Sequence, residues 1–333
     1  GKDSTFIFLE NVIDEVTKLF PSKYFHMGGD EAPKAHWKKC PACQKRMKDH
    51  KLKDDHELQS WFVQRIEKYV NSKGKILIGW DEILEGGLAP NAVVMSWRGE
   101  KGGIEAAKQK HPVIMTPGNP VYFDHTQSKN EDSVTIGGYN PIENVYAYEP
   151  IPKELSAEEA RLDDPVGLGK YILGAQANMW TEYIKYPSKV EYHLFPRITA
   201  LSEVLWSPKE KRNWKDFERR LPTIFERLDK QKINYSKAYY DLKATVMSTP
   251  DYNGILYKLE TTTNNYKIEY LPSMLHSSFI NYEKPILIQD NIYGMNVLLR
   301  VNGKVVSGTM QSFYFNKATG KKITLATDAD KKY

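Results

Sequence analysis

Short apolar runs of strand length alternate with amphipathic helical segments up to about residue 235, and that alternation narrows the fold more than any other feature of the chain. Phe6, Leu9, Val12, Ile13, Val16, Leu19 and Phe20 recur at helical spacing, and Pro21 stops the helix. Tyr24 to Met27 reads as a strand. Residues 54 to 72 form a second amphipathic helix with Leu58, Phe62, Ile66 and Tyr69 on one face, closed by Gly74. Strands are predicted at Lys75–Trp80, Ala92–Trp97, Val113–Met115 and Tyr171–Asn178. Helices are predicted at Gly103–Lys110 and near 188–205 and 214–230, and a polar, Pro-rich loop at 125–168. Strands and helices in this order indicate parallel βαβ units and an α/β fold. From Tyr235 the texture changes to short apolar runs divided by Asn, Gly, Pro and Ser, such as Ile255-Leu256-Tyr257, Pro285–Ile288, Val297–Val301 and Phe313-Tyr314-Phe315. That pattern predicts a small antiparallel β-sandwich over 236–333, after an α/β domain over 1–235.

The composition excludes several classes of function. A net charge of +5 is modest, and the basic residues are interleaved with acids, as on a solvated helix face and unlike a nucleic-acid footprint. No apolar run approaches the roughly 20 residues that span a bilayer. Cys40 and Cys43, the only cysteines, form one C-x-x-C pair; with no second pair, a structural loop pair, reduced or bridged, is the favoured reading over zinc or redox chemistry. His36, His50, His56, His111, His125 and His193 show no metal-ligand spacing, so no metal or other cofactor is expected.

Chemistry gathers where the predicted strands end. The first strand runs into Gly28-Gly29-Asp30-Glu31, with Pro33 close behind, which predicts a strand-to-helix corner. Adjacent side chains of a strand point to opposite faces, so two neighbouring acids can serve one pocket only where the chain turns. Gly28 and Gly29 permit that turn. The second strand ends at Trp80-Asp81-Glu82, the third at Trp97-Arg98 and the fifth at Trp180-Thr181-Glu182, while Tyr122 and Asp124 follow the fourth. Each has a plainer reading: a tryptophan in the core, Asp81 as a helix cap, Glu182 as a first-turn acid, His26 as a structural histidine. Their recurrence at five strand ends favours a pocket. Aromatic faces cover the C–H surface of a pyranose and carboxylates accept from its hydroxyls, so the pocket suits a sugar.

The segments His26–Glu31, Gly79-Trp80-Asp81-Glu82-Ile83, Met95-Ser96-Trp97-Arg98-Gly99, Tyr122-Phe123-Asp124 and Asn178-Met179-Trp180-Thr181-Glu182 resemble, in order, the signature of glycoside hydrolase family 20, the β-N-acetylhexosaminidases. The resemblance runs from about residue 6 to 235. It implies a (β/α)8 barrel of the TIM type and hydrolysis of terminal non-reducing β-linked GlcNAc or GalNAc on a glycan or glycoconjugate. It also implies retention of configuration, with the substrate's acetamido oxygen as nucleophile and an oxazolinium intermediate, an exception to the usual carboxylate pair. Glu31 would be the general acid and then the base, and Asp30 would orient the acetamido group. Tyr122 would bond the acetamido oxygen, Trp80, Trp97 and Trp180 would wall its pocket, and Asp124 and Glu182 would bind the outer hydroxyls.

A complete barrel of this type has eight strands in about 250 residues. Five βα units are legible here, so the barrel is expected to be incomplete in this chain, lacking the family's first strands with an arginine and a histidine of the pocket. Gly320–Leu325 resembles the close of the small β domain. An internal fragment of a larger secreted or periplasmic glycosidase is therefore expected, unstable or oligomeric unless the absent segment is supplied. The alternative is a non-catalytic carbohydrate-binding fragment.

Overall fold

The computed structural model describes residues 1–131, 133–155, 171–261, 263, 265–272 and 277–322. Contacts divide the chain into two compact units: Gly1–Thr126 with Ser133–Tyr235, and Gln127–Asp132 with Ser236–Tyr333.

The first unit is built on five parallel strands in sequential order: β1 (Tyr24–His26), β2 (Ile76–Trp80), β3 (Val93–Ser96), β4 (Val113–Met115) and β5 (Ile172–Ala175). Leu77, Val94, Val113 and Met115 have no exposed surface, as expected of a parallel sheet covered on both faces. Helix α1 (Asp3–Leu19) buries Phe6 and Ile13. The Phe6 ring meets Trp61 and Phe62 of α3 (Asp55–Ser72) at 5.5 and 4.9 Å. The Asp54 side chain starts α3 by accepting the His56 and Glu57 N–H groups, each at 2.9 Å, which satisfies two orphan donors of the first turn.

Three local expectations are corrected. The helix expected over 188–205 is two helices, Pro187–Leu194 and Arg197–Trp206, because Pro196 cannot donate to the preceding turn and its ring crowds the backbone there. Cys40 and Cys43 lie on a helix instead of a loop: Cys43 is buried in α2 (Pro41–Asp49), Cys40 is its N-cap residue, and both are free thiols. The expected loop at 125–168 carries a helix, Ile142–Ala147, that buries Ile142, Val145 and Tyr146. The rest of that loop from residue 156, and the closing run from Ile323, lie outside the described residues.

The second unit holds two antiparallel sheets, ordered β10–β7–β6 and β12–β11–β8–β9. Their strands are β6 (Lys243–Ser248), β7 (Ile255–Glu260), β8 (Tyr266–Leu271), β9 (Ile280–Asn281), β10 (Ile286–Ile288), β11 (Ile292–Val301) and β12 (Lys304–Phe313). Burial alternates along β7 at Ile255, Tyr257 and Leu259, and along β11 at Met295, Val297, Leu299 and Val301. The sheets meet where Tyr257 and Phe313 touch edge to face at 4.9 Å. Asn302 and Gly303, at φ +49° and +79°, make the tight turn that joins β11 to β12.

Candidate active site

The sheet's carboxyl edge carries the chain's polar and aromatic cluster. Strand β1 ends at His26, earlier than expected, and the chain then runs through an irregular turn before α2. No helix follows the acids directly, so the predicted strand-to-helix corner is instead a free-standing turn. It is tied down from two sides: the Gly28 carbonyl accepts the Trp80 N–H at 3.0 Å, and the Gly29 carbonyl accepts the Gln59 amide at 2.8 Å. Gly29, at φ +103°, has the Ile83 side chain so close that a Cβ would approach it to 2.9 Å. Both the backbone conformation and the space therefore demand glycine. Glu31 itself sits at φ +46°, a left-handed conformation uncommon for a side chain of this size. Asp30 and Glu31 are both open to solvent.

His26 connects this turn to the aromatic cluster. Its Nδ1 accepts the Gly28 N–H at 3.0 Å and its ring lies 4.8 Å from that of Trp80. Loss of water around the imidazole lowers its pKa, and the nearby Asp30 carboxylate pulls partly the other way. From Trp80 the rings continue without a break. Trp80 to Trp180 is 6.0 Å, Trp180 to Tyr122 is 6.3 Å, and Tyr122 to Trp97 is 6.4 Å with planes only 16° apart. Four aromatic residues separated by up to a hundred positions form one connected wall.

Tyr122 and Trp180 reach this wall through an extension of the sheet. A parallel bridge pairs Tyr122 with Asn178, through Asn178 N–H to Val121 (2.9 Å) and Phe123 N–H to Asn178 (2.7 Å). Burial pushes the Tyr122 phenol above its usual pKa, opposed by hydrogen bonds from Trp180 and Asn178 and reinforced by Asp124 and Asp81. A neutral phenol keeps its O–H to donate. Asp124 is 6% exposed, and its Oδ1 has no hydrogen-bond partner among the described residues. Burial above all, with Glu182 adding to it, raises the Asp124 carboxyl above the ordinary range, while backbone N–H groups including that of Trp180 hold it down. An orphaned carboxylate oxygen at this depth is an acceptor without a donor. Glu182 lies on the surface within electrostatic reach of it.

Four groups act as positioning groups: Gln59 and Arg197, which no sequence pattern singled out, and the strand-end acids Asp81 and Glu82, whose supporting role the sequence did not show. Gln59 holds the Gly29 carbonyl from α3. Asp81, 1% exposed, caps no helix: its Oδ2 takes the N–H groups of Trp97 (3.1 Å) and Arg98 (3.2 Å), and its Oδ1 takes the Arg98 Nε–H (2.5 Å). Glu82 accepts the Trp97 indole N–H. Arg197, with no exposed surface, donates to the carbonyls of Phe123 and His125 and so clamps both neighbours of Asp124. The one available signal was the run of acids after Trp80; Gln59 and Arg197 carry none, because their partners are main-chain atoms remote in sequence. Among the described residues no three His, Cys, Asp or Glu side chains come together as metal ligands.

Residues 1–209 match the sequence profile of the glycosyl hydrolase family 20 catalytic domain. The chain is 55% identical over 237 residues to a β-hexosaminidase of Porphyromonas gingivalis, an alignment covering 71% of this chain and 29% of that protein. It is 36% identical over 201 residues to a β-hexosaminidase of Vibrio furnissii, covering 60% and 32%. Among solved structures it is similar to a family 20 exo-β-N-acetylglucosaminidase of Vibrio harveyi in complex with N-acetylglucosamine, with TM-score 0.63, 34% identity, and 71% of this chain and 36% of that one covered. A β-N-acetylhexosaminidase of Bacteroides fragilis gives TM-score 0.58 at 31% identity, over 71% and 46% of the two chains. The chain thus spans about a third of the length of the curated relatives just named. With the strand-end motifs and the parallel sheet in agreement with that match, the chain belongs to glycosyl hydrolase family 20.

Proposed function

We propose that this chain carries the donor-sugar pocket of a β-N-acetylhexosaminidase, which removes terminal non-reducing β-linked GlcNAc or GalNAc from a glycan. The observation that carries the proposal is the connected wall of Trp80, Trp97, Tyr122 and Trp180 beside an unpartnered Asp124 oxygen. Ring faces of this kind cover the apolar side of a pyranose and its acetamido methyl, and the carboxylate supplies the acceptor that a sugar hydroxyl needs. The five parallel strands are read as part of a (β/α)8 barrel, whose carboxyl edge is where such sites are built.

In this reading the acetamido oxygen of the substrate attacks the anomeric carbon, and the bond to the leaving oxygen breaks as Glu31 protonates it. The oxazolinium ion is then opened by water, whose proton Glu31 takes back. The Asp30 carboxylate accepts the acetamido N–H and balances the positive charge that develops on the ring being formed. The Tyr122 O–H holds the acetamido oxygen at attacking distance, which restricts the rotation of a group already tethered to the sugar and lowers the entropic cost of the intramolecular step. Asp124 and Glu182 take the outer hydroxyls.

Two measurements test this together: calorimetry with N-acetylglucosamine and turnover of an aryl β-N-acetylglucosaminide. Binding with turnover is expected. Binding without turnover would favour a sugar-binding role, for which the open position of Asp30 and Glu31 in the turn that follows the edge strand is the supporting observation. Absence of both would sink the proposal.

A pH dependence follows from Asp124. Its carboxyl is raised by burial and by Glu182, and a sugar hydroxyl bonds most strongly to the ionised form. Affinity for N-acetylglucosamine should therefore weaken as pH falls through that raised value, and Asp124→Asn should flatten the profile; a profile that keeps its slope in the variant would argue against the assignment. For folding the sign is opposite. A carboxyl whose folded pKa is raised favours the native state below its unfolded value, and that contribution is lost as pH rises through the folded one.

A further inference from the structure

Trp97 is held in a way its neighbours on the wall are not. Its backbone N–H is bound by Asp81, and its indole Nε1–H donates to Glu82 Oε2 at 3.0 Å. Glu82 is 7% exposed, and its other oxygen lies 3.7 Å from the Arg98 Nε. Burying a carboxylate is costly, and a tryptophan that merely fills space requires no charged acceptor. The desolvation is felt: burial pushes the Glu82 carboxyl up, while the indole and Arg98 hold it down. Two consecutive acids at the end of β2 thus grip one residue by its main chain and by its ring nitrogen. Swinging the indole about its side-chain bonds would break the hydrogen bond to Glu82, and in its present place its plane lies within 16° of the Tyr122 ring.

We propose that Glu82 is a positioning residue that sets the size of the N-acyl pocket by fixing the indole of Trp97. The inference rests on the sugar-pocket reading, in which Trp97 walls the acetamido group. A fixed wall rejects a larger acyl group; a wall released from Glu82 yields to it. A purely structural Glu82 would instead affect stability and leave acyl selectivity alone.

The test compares N-acetyl with N-propionyl glucosamine derivatives in the unaltered chain and in Glu82→Leu, as kcat/KM where there is turnover and as Kd where there is binding alone. One methylene in a tight apolar pocket is discriminated by roughly 10-fold or more, so Glu82→Leu should raise the propionyl-to-acetyl ratio by about that factor. Glu82→Gln keeps an oxygen that accepts the indole N–H and should leave the ratio within about threefold of the parent, since the hydrogen bond survives in neutral form. If Glu82→Leu does not fold, Glu82→Ser, too short to reach the indole, carries the same expectation. A folded Leu or Ser variant with an unchanged ratio overturns the inference and leaves the sugar pocket standing. An unaltered chain that neither binds nor turns over the acetyl compound overturns the pocket itself, and this inference with it.

Discussion

Glu31→Gln is expected to lower turnover of an aryl β-N-acetylglucosaminide by about 10²–10⁴, the usual worth of a positioned general acid, with little change in affinity for N-acetylglucosamine. The substitution keeps the shape of the side chain and its place in the left-handed turn at φ +46°. It removes the one thing the reaction asks of that group, a proton to give and later take back. The Gly29 and Gly28 carbonyls that anchor the turn are main-chain atoms, held by Gln59 and by the Trp80 N–H, so the variant leaves the anchoring intact. The loss should shrink as the aryl leaving group becomes more acidic, because a stable phenolate needs less protonation. Turnover equal to that of the parent, across leaving groups, would remove Glu31 from the role of acid.

Asp30→Asn is the second large effect. Replacing a carboxylate aimed at developing positive charge should cost about 10²–10³ in turnover, the scale of one well-placed electrostatic contact. The side chain is open to solvent and its charge is felt by His26, so the exchange should perturb the fold little. Its signature is where the loss falls. A thiazoline that mimics the cyclised acetamido group resembles the charged intermediate more than N-acetylglucosamine does, and a site tuned to the intermediate binds such a mimic preferentially. Affinity for the thiazoline should therefore drop by much more than affinity for the plain sugar. An equal drop in both would mean that Asp30 binds the sugar generally and does not stabilise the charge.

Much of the first unit was legible because its signals are local. The strands at Ile76–Trp80, Val93–Ser96 and Val113–Met115 follow from apolar runs that only a buried parallel sheet accommodates. The helices Asp55–Ser72 and Trp214–Lys230 fall where the sequence predicts them, and the structure adds the Asp54 and Asn213 side-chain caps that start them. What escaped were departures decided by tertiary contacts. The fifth strand stops at Ala175, pairing resumes only at the isolated Tyr122–Asn178 bridge, and its register against β4 shifts by one residue before Gly174, which takes φ +141°. The strands Lys243–Ser248 and Lys304–Phe313 scatter single or paired apolar residues among Lys, Ser, Thr and Gln, so neither shows a continuous apolar run.

By itself the sequence determined the kinds of element, their order and the residues that gather chemistry at strand ends, because periodicity, glycine turns and motif spacing act over a few residues. Only the tertiary structure decided how those ends serve one another. It brought Trp80, Trp97, Tyr122 and Trp180 into one wall, left an Asp124 oxygen without a donor, and turned Asp81 and Glu82 from apparent pocket acids into supports for Trp97. The reason is physical. Burial and hydrogen-bond satisfaction depend on atoms that meet across strands and helices, and no spacing along the chain reports which of them will be left unpaired.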